Sequence, residues 1–443
     1  MLATPAAPLG IDDPLIAAEP ARLRGDQRAL LAVTLERAPE HGLPAVIATG
    51  MGDVELERAI IAYAAAMRGQ RLAGRFPKNW SVRPQPYDAA SEYRRALAAD
   101  QLKPWLTSLA SPHPGYRQLV AALARYRNID HAGGWPDLAS GAALKPGARH
   151  PRIAALRRRI AIETDVVLDS ADEELFDAGL AEALKAEQAR LGVPATGVLD
   201  KATVAAFNVP ARERIEAIEA NLERWRWLPA ALPAYRVEVN IAGAELEVWR
   251  GGDVVMAMRT IVGKKATPTP LLQTQIETVV LNPPWNVPPS IARNEILPKA
   301  AADPRYLARH GYIRLPSGGL QQKAGPQSAL GQVKFDMPNP FTVYLHDTPS
   351  RGLFARDVRT LSHGCMRVEK PIELARLVLA DNPDWTPAAI DAAIASGKTI
   401  RAPVRTRPAV LVVYRTAFVR GGQVHFRNDV YDWDEKLRRL LGR

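Results

Sequence analysis

The segment "YRVEVNIAGAELEVWRGGDVVMAMRTIVG" (residues 235–263) decides the fold class, because the spacing of apolar residues changes there. Alternate residues from Tyr235 to Ile241 are apolar, which is the two-residue period of a β-strand with one buried face. The glycines of "RGGD" (250–253) supply a hairpin turn between two such runs. The segment therefore predicts antiparallel β-structure.

Further strand patterns occur toward the C-terminus, at "IETVVLN" (276–282), "FTVYLHD" (341–347) and "AVLVVYRTAFV" (409–419). The segment "KPIELARLVLAD" (370–381) has helical spacing instead. Residues 288–325 form an insertion with helical character between the first two of these strands. An insertion within a β-domain, shortly before residues that can carry chemistry, is a natural lid, so we expect a capping subdomain there.

The N-terminal half has a helical period. Apolar residues recur at three- and four-residue intervals within residues 21–165, which predicts an all-α domain completed by a helix at 211–230. The proline-rich stretch 74–88 predicts a long ordered loop or a packing strap. Residues 166–210 predict two or three short helices around a small core, and residues 1–20 predict a flexible tail.

Together these patterns predict an α+β multidomain protein. Its main part is a mostly antiparallel, β-sandwich-like domain at residues 233–432, which contains the capping insertion. The all-α domain and the small helical domain precede it, and residues 433–443 predict a C-terminal helix.

The composition is that of a soluble protein with a basic surface. The chain contains 58 Lys and Arg against 47 Asp and Glu, a formal net charge of +11, which would suit an anionic partner. The basic residues are dispersed, and the densest run (152–163) has no interleaved aromatic residues, so we expect no nucleic-acid partner. The longest apolar run (59–67) is too short for an integral membrane segment. No secretory signal is visible, so an export signal would have been removed or would lie upstream of Met1.

Cys365, in "SHGCMRV" (362–368), is the only cysteine of the chain. A thiol with the usual pKa of about 8.5 is only slightly ionised at pH 7, so a nucleophilic cysteine needs a neighbouring base. We prefer His346, at the end of a strand pattern, over His363, whose position two residues away gives a poor geometry. Gly364 allows close approach of the backbone, and the amides near it could form an oxyanion hole. The alternative is a buried structural thiol beside histidines that are satisfied in the core.

This constellation resembles the L,D-transpeptidase catalytic domain, also called the YkuD domain. The signature of that family is a histidine followed, after a short segment, by Ser or Thr, His, Gly and Cys. Here 15 residues separate His346 from "SHGC" (362–365). The position after Met366 is Arg367, and flanking stretches such as "VGKKATPTP" (262–270) also resemble the large Gram-negative branch of the family.

The helical segment 166–210 resembles the peptidoglycan-binding domain type 1. The matching positions are Gly192, Gly197, Thr203, Phe207 and Asn208. The segment departs from that family at Glu187-Gln188, where Phe-Gln is usual, and at Thr196, where Asp is usual.

The resemblance implies a periplasmic cysteine acyltransferase that acts on peptidoglycan stem peptides and uses no cofactor. Cys365 would attack the L-centre carbonyl of the third residue of a donor tetrapeptide and expel the terminal D-Ala. An amine of a neighbouring stem would then resolve the thioester into a 3-3 cross-link. His346 would transfer the proton, a backbone carbonyl or Ser362 would orient its imidazole, and His363 and Gly364 complete the motif. β-Lactams of the carbapenem and penem class are expected to be covalent inhibitors.

Three further residues are candidates for substrate binding, each with a structural alternative. The planar guanidinium of Arg367 suits a substrate carboxylate, but it could instead pair with Glu369. Tyr344 shares a strand face with His346 and could line the pocket or be β-core. Trp285, in "NPPWNVPP", could floor the cleft or anchor a proline-rich turn.

Other functions remain open from the sequence. His346, Asp347, His363 and Cys365 include possible metal ligands, which would suit a metal-dependent peptidoglycan hydrolase, although the spacing fits no usual zinc pattern. Asp347 also competes for the role of orienting the imidazole, although Asp before Thr-Pro is commonly a turn cap. An L,D-carboxypeptidase, in which water replaces the amine, and a wall-binding protein without catalysis are further alternatives.

Overall fold

A computed structural model describes residues 22–164 and 166–442, so the predicted flexible tail lies outside the described residues. The described chain divides into two compact units. One comprises residues 22–77, 82–232 and 415–442, and the other comprises residues 78–81 and 233–414. The first is mainly helical and the second is built on a β-sheet, which confirms the predicted α+β class.

The helices, in chain order, are α1 (Gly25–Glu36), α2 (Asp53–Met67), α3 (Ala89–Ala98), α4 (Leu102–Ser108), α5 (Pro114–His131), α6 (Pro151–Thr164), α7 (Ala178–Arg190), α8 (Lys201–Phe207), α9 (Ala211–Arg226), α10 (Pro289–Ile291), α11 (Leu297–Ala302), α12 (Tyr306–Arg309), α13 (Pro371–Val378), α14 (Pro387–Ala395) and α15 (Trp433–Leu440). Short 3₁₀ helices lie at Ala38–His41, Gln70–Leu72 and Arg351–Ala355, and a π-helical turn lies at Ala292–Ile296.

The strands, in chain order, are β1 (Tyr235–Asn240), β2 (Glu245–Arg250), β3 (Asp253–Gly263), β4 (Leu272–Gln275), β5 (Thr278–Leu281), β6 (Trp285–Val287), β7 (Tyr312–Arg314), β8 (Leu320–Gln322), β9 (Val333–Asp336), β10 (Leu345–His346), β11 (Thr360–Ser362), β12 (Met366–Val368), β13 (Ile400–Pro403), β14 (Ala409–Val413), β15 (Ala417–Arg420) and β16 (Gln423–Phe426).

The two short helices predicted within residues 166–210 are α7 and α8. Each is capped by an aspartate: Asp177 accepts the Leu180 N–H and Asp200 accepts the Thr203 N–H, both at 2.8 Å. Leu180 and Phe207 are fully buried in the core that these helices share with α5, α6 and α9.

The β-unit contains one sheet of eleven strands, in the order β13-β5-β9-β10-β12-β3-β2-β1-β14-β4, with β11 alongside β3. Most neighbours are antiparallel, whereas β1 and β14, β10 and β12, and β3 and β11 are parallel. The hairpin β15–β16 belongs to the helical unit. The β-unit therefore ends at residue 414, whereas the predicted catalytic-domain boundary lies at residue 432.

Part of the proline-rich stretch belongs to the β-unit. The Ser81 N–H donates to the Leu271 carbonyl and the Leu271 N–H donates to the Asn79 carbonyl, both at 2.9 Å. Trp80, between them, is fully buried. Residues 78–81 thus pair in parallel with the chain just before β4.

The insertion contains α10, α11, α12 and the π-helical turn, as its helical pattern predicts. Its strands β7 and β8 form a three-stranded sheet with β6, which immediately precedes the insertion, in the order β6-β8-β7; the sequence did not predict this sheet. Val287 of β6 packs with Ile296 and Leu320 of the insertion in a small core. Within residues 22–164 and 166–442, no helix is both long and apolar enough to cross a membrane.

Candidate active site

The site is centred on β10, a strand of only two residues. Its neighbours are β9 on one side and β12 on the other, and His346 lies opposite Lys334 of β9 and Arg367 of β12. Residues directly opposite one another in a sheet project from the same face. His346 therefore shares a sheet face with a cation on each side.

Cys365 and Tyr344 lie next to that row of side chains. Tyr344 precedes His346 by two residues and Cys365 precedes Arg367 by two, so both belong to the same face. The Met366 N–H donates to the Tyr344 carbonyl at 3.0 Å, which holds the chain around Cys365 beside Tyr344. The rings of Tyr344 and His346 meet edge to face with centroids 5.5 Å apart. The structure thus brings the predicted nucleophile and the predicted base together on one surface.

The His346 imidazole is buried, and its tautomer follows from one hydrogen bond. Nδ1 lies 2.5 Å from the Asp347 carbonyl oxygen, which can only accept, so Nδ1 carries the proton and Nε2 is free to act as a base. Burial, together with the nearby charge of Arg367, lowers the pKa of His346 to about 3. The imidazole is therefore neutral at physiological pH, as a general base must be.

Asp347 orients the imidazole through its backbone rather than through its carboxylate. The carboxylate accepts the Gln332 N–H at 2.9 Å and pairs with Arg351 at 3.0 Å. These contacts fix the loop that follows β10 and with it the carbonyl that holds Nδ1. Of the groups considered from the sequence, the backbone carbonyl is the one that contacts the imidazole.

The Cys365 thiol is partly buried, and burial raises its pKa. The backbone and hydroxyl of Tyr344 and the charges of Lys334 and Arg367 oppose that shift without cancelling it. With a raised thiol pKa and a lowered imidazole pKa, the resting pair is a neutral thiol beside a neutral histidine. The proton must then leave sulfur during attack rather than before it.

Ser362 shapes the turn that carries the cysteine. Its hydroxyl donates to the Cys365 carbonyl at 2.6 Å and accepts the Gly364 N–H at 3.2 Å. Gly364 has a φ of 115°, a region that other residues rarely adopt. The Ser362 hydroxyl is thereby used within the turn, so its role as an orienting group for the imidazole finds no support in these contacts.

His363 is directed toward the capping insertion. Its Nε2 lies 2.6 Å from Oε1 of Glu295, in the π-helical turn of the insertion. No local sequence pattern pairs these residues, which are 68 positions apart. His363 thus connects the cysteine turn to the insertion.

Arg367 has no carboxylate partner among the residues that the structure describes. Glu369, its predicted structural partner, binds Arg259 instead, with Nε and Oε1 2.9 Å apart. Within the described residues, the Arg367 guanidinium makes no hydrogen bond or ion pair, and its Nε is buried without an acceptor. Such a group is expected to bind a carboxylate supplied from outside the chain.

Lys334 is a site residue that the sequence analysis missed. Its ammonium lies 4.3 Å from the centroid of the Tyr344 ring and 2.7 Å from Asp336. Burial raises the pKa of Tyr344, and the side chain of Trp285 in β6 opposes that shift. Tyr344 and Trp285 are therefore neighbours beside the cysteine turn, and Lys334 lies against the tyrosine ring.

Two of the residues considered as metal ligands, His363 and Asp347, are hydrogen-bonded to other side chains or backbone groups. Glu295 holds His363, and Gln332 and Arg351 hold the Asp347 carboxylate. In the part of the chain that the structure describes, no group of three or more His, Cys, Asp or Glu side chains is arranged to hold a metal ion.

Three family models match the chain. Residues 234–403 match the L,D-transpeptidase catalytic domain, residues 22–123 match the "Scaffold domain", and residues 160–207 match the "Putative peptidoglycan binding domain". The first of these matches contains His346, Cys365 and Arg367.

Comparison with known proteins gives relatives of the same kind. A protein of Haemophilus influenzae named "Putative L,D-transpeptidase" is 38% identical over 219 residues, which cover 45% of this chain and 44% of that protein. The match thus spans less than half of the length of this curated relative.

Solved structures are more distant. An L,D-transpeptidase from Xylanimonas cellulosilytica is 16% identical with a TM-score of 0.22 and covers 62% of this chain and 99% of its own. L,D-transpeptidase 3 from Mycobacterium tuberculosis, in complex with a faropenem-derived adduct, is 13% identical with a TM-score of 0.22 and covers 41% of this chain and 60% of its own.

Proposed function

The chain belongs to the L,D-transpeptidase family, and from this premise we propose that it forms 3-3 cross-links in peptidoglycan through a thioester on Cys365. The observation that carries the proposal is the single sheet face shared by Cys365, a neutral His346 and an unpartnered Arg367. Such a face offers a nucleophile, a base and a carboxylate-binding cation to one bound substrate.

The first half of the reaction acylates the enzyme. His346 Nε2 takes the thiol proton while sulfur attacks the carbonyl carbon of the third stem residue. The carbonyl oxygen becomes an oxyanion, which the Cys365 N–H can stabilise. When the intermediate collapses, the bond to the D-Ala nitrogen breaks, and the imidazolium returns its proton to that nitrogen. Free D-Ala departs, and the acyl group remains on Cys365 as a thioester.

The second half transfers the acyl group to an amine. An amine of a neighbouring stem attacks the thioester while His346 accepts a proton from its nitrogen. The carbon–sulfur bond breaks, and the same proton restores the thiol. The new amide joins the third residues of two stems. Water in place of the amine would give a tripeptide, the product of an L,D-carboxypeptidase.

Other parts of the chain support an enzyme of the cell wall. Residues 160–207 match a peptidoglycan-binding domain, so we propose that they direct the catalytic unit to its polymer. The formal charge of +11 favours a polymer that carries carboxylates. We propose the periplasm as the location and carbapenems and penems as covalent inhibitors, because a strained lactam carbonyl can react with Cys365 as the stem carbonyl does.

Intact mass measurement after incubation with a carbapenem tests the nucleophile. A single adduct on the only cysteine is expected, and incubation with a disaccharide-tetrapeptide should then give D-Ala and a cross-linked dimer. Tripeptide without dimer would assign a carboxypeptidase. No adduct and no product from folded protein would contradict the proposed function, and activity lost on chelation and restored by zinc would favour a metallohydrolase.

Arg367→Lys should lower kcat/KM for the tetrapeptide donor roughly tenfold, because a lysine keeps the charge but loses the two parallel hydrogen bonds to a carboxylate. Steady-state rates with the disaccharide-tetrapeptide measure this effect. Arg259→Lys is the matched control, since Arg259 is occupied by Glu369 and should tolerate the change. Equal rates for both variants and the unaltered protein would remove Arg367 from substrate binding.

Glu295→Ala should shift the products from cross-linked dimer toward tripeptide. The change removes the contact of the insertion with His363, so water would reach the thioester more readily, while acylation by a carbapenem should persist. Chromatography of the reaction products gives the ratio of dimer to tripeptide. Asp303→Asn, which alters an ion pair inside the insertion with Arg309, is the control. An unchanged ratio would mean that this contact does not close the site.

A further inference from the structure

The loop that follows β3, residues 264–269, packs against the turn that carries Cys365. The Lys264 N–H donates to the Ser362 carbonyl at 2.9 Å, and the Thr267 hydroxyl reaches the same carbonyl at 3.3 Å. The loop passes so close to the end of β3 that a Cβ added at Gly263 would lie 2.7 Å from the Thr269 nitrogen. The segment that carries Thr269 is thus packed directly against the end of β3.

The Thr269 hydroxyl is completely buried between two backbone groups. It accepts the Gly263 N–H at 2.9 Å and donates to the Gly364 carbonyl at 2.8 Å. A hydroxyl has a single proton to donate, and the bond from Gly263 occupies its oxygen from the other side. The proton of Thr269 is therefore directed at the carbonyl that immediately precedes the nucleophile.

The direction of that carbonyl sets the direction of the Cys365 amide. The peptide bond between Gly364 and Cys365 is trans, so its N–H points away from Thr269. Within residues 22–164 and 166–442, this N–H donates to no protein acceptor. The adjoining groups are all held, because Ser362 binds the Cys365 carbonyl and Tyr344 accepts the Met366 N–H. One free donor thus remains in an otherwise fixed turn.

A free, fixed donor beside the nucleophile is what a developing oxyanion requires. The neighbouring glycine makes this arrangement easy to lose, since Gly364 has no Cβ to restrain rotation of the peptide plane. If the plane rotated, the Gly364 carbonyl would face the oxyanion and repel it. A bond to that carbonyl opposes the rotation directly, and Thr269 supplies it.

We propose that Thr269 is a positioning residue for acyl transfer, whose buried hydroxyl holds the Gly364 carbonyl so that the Cys365 amide stays directed at the oxyanion. The inference rests on the proposed function of Cys365 as an acyl-forming nucleophile. It assigns to the loop after β3 a part in catalysis, although Thr269 touches neither the substrate nor the thiol.

Two reactions of the same thiol test this role. A carbapenem forms an oxyanion when the thiol attacks its lactam carbonyl. With iodoacetamide, the thiol instead displaces iodide from a saturated carbon, and no oxyanion forms. Thr269→Val should slow carbapenem acylation roughly 10- to 100-fold and change the alkylation rate less than about twofold. Thr269→Ser, which restores the hydroxyl, should acylate nearly as fast as the unaltered protein. Thr274→Val, at a threonine of β4 whose hydroxyl donates to the Pro338 carbonyl instead, should leave both rates unchanged.

The outcomes separate the inference from the proposed function. Acylation of Thr269→Val at the rate of the unaltered protein would overturn the inference while the function stands. An equal fall of acylation and alkylation would also overturn it, because that pattern indicates a merely structural residue. If the unaltered protein is alkylated but never acylated, the proposed function fails and the inference with it. Near-ultraviolet circular dichroism verifies folding, and Thr269→Ala replaces the valine variant should that one not fold.

Discussion

Cys365→Ala is expected to abolish the carbapenem adduct and the formation of both dimer and tripeptide, with a loss of turnover of at least about 10⁴-fold. The variant lacks the chain's only sulfur nucleophile, and water cannot replace it because no acyl-enzyme can form. Intact mass spectrometry and chromatography of the products measure both effects. Since the remaining chain contains no cysteine, any adduct on this variant would identify a different nucleophile.

Cys365→Ser is the companion variant and should retain at most a trace of activity. A serine hydroxyl is much harder to deprotonate than a thiol, and His346, with a pKa of about 3, is a weak base. The substitution keeps the turn, because Ser362 binds the Cys365 carbonyl rather than the side chain. Full turnover in either variant would contradict the assignment of Cys365.

The sequence singled out Cys365 and His346, which the structure places on one sheet face, but it did not predict the residues around them. The residues of "SHGC" (362–365) and the strand ending at His346 lie within one local pattern each, so motif and period were sufficient to identify them. The position of Lys334 depends on the register between β9 and β10, which long-range pairing determines. No local pattern reveals which side chain will lie opposite the base.

The same limit applies to the supporting contacts. Glu295 and His363 meet across 68 residues, and Thr269 and Gly364 meet across 95. Both contacts arise because distant segments pack around one turn. The strands β6, β7 and β8 were missed for a different reason, since each has only three residues and cannot show an alternating period.

The run at 409–419 shows how a strong local pattern can mislead. Most of its residues have high β-propensity, and it was predicted as a single strand. The structure forms two strands, β14 and β15, in different compact units. Thr416, between them, is buried and hydrogen-bonded to Asn221 of α9 at 2.6 Å. That side-chain contact takes the chain out of the sheet, which propensity alone could not indicate.

The neutral resting pair leads to a prediction about pH. His346 is desolvated and has a lowered pKa, so it stays neutral, and able to accept a proton, far below its ordinary value of about 6.5. The thiol has a raised pKa, so little thiolate exists at pH 7. Under the proposed mechanism the imidazole of the unaltered protein removes the proton as attack proceeds, so the acylation rate should vary little with pH between about 5 and 8.

His346→Gln should lower the rate of carbapenem acylation about 10²- to 10⁴-fold at pH 7, because the glutamine side chain cannot accept the thiol proton. Only preformed thiolate would then react, so the residual rate should rise tenfold per pH unit below the thiol pKa. Stopped-flow acylation from pH 5 to 9 measures both the loss and the slope. His425→Gln is the control, since burial also lowers the pKa of that histidine, to about 4, in the other compact unit. A flat residual profile, or a loss confined to carbapenem affinity, would show that His346 does not transfer the proton.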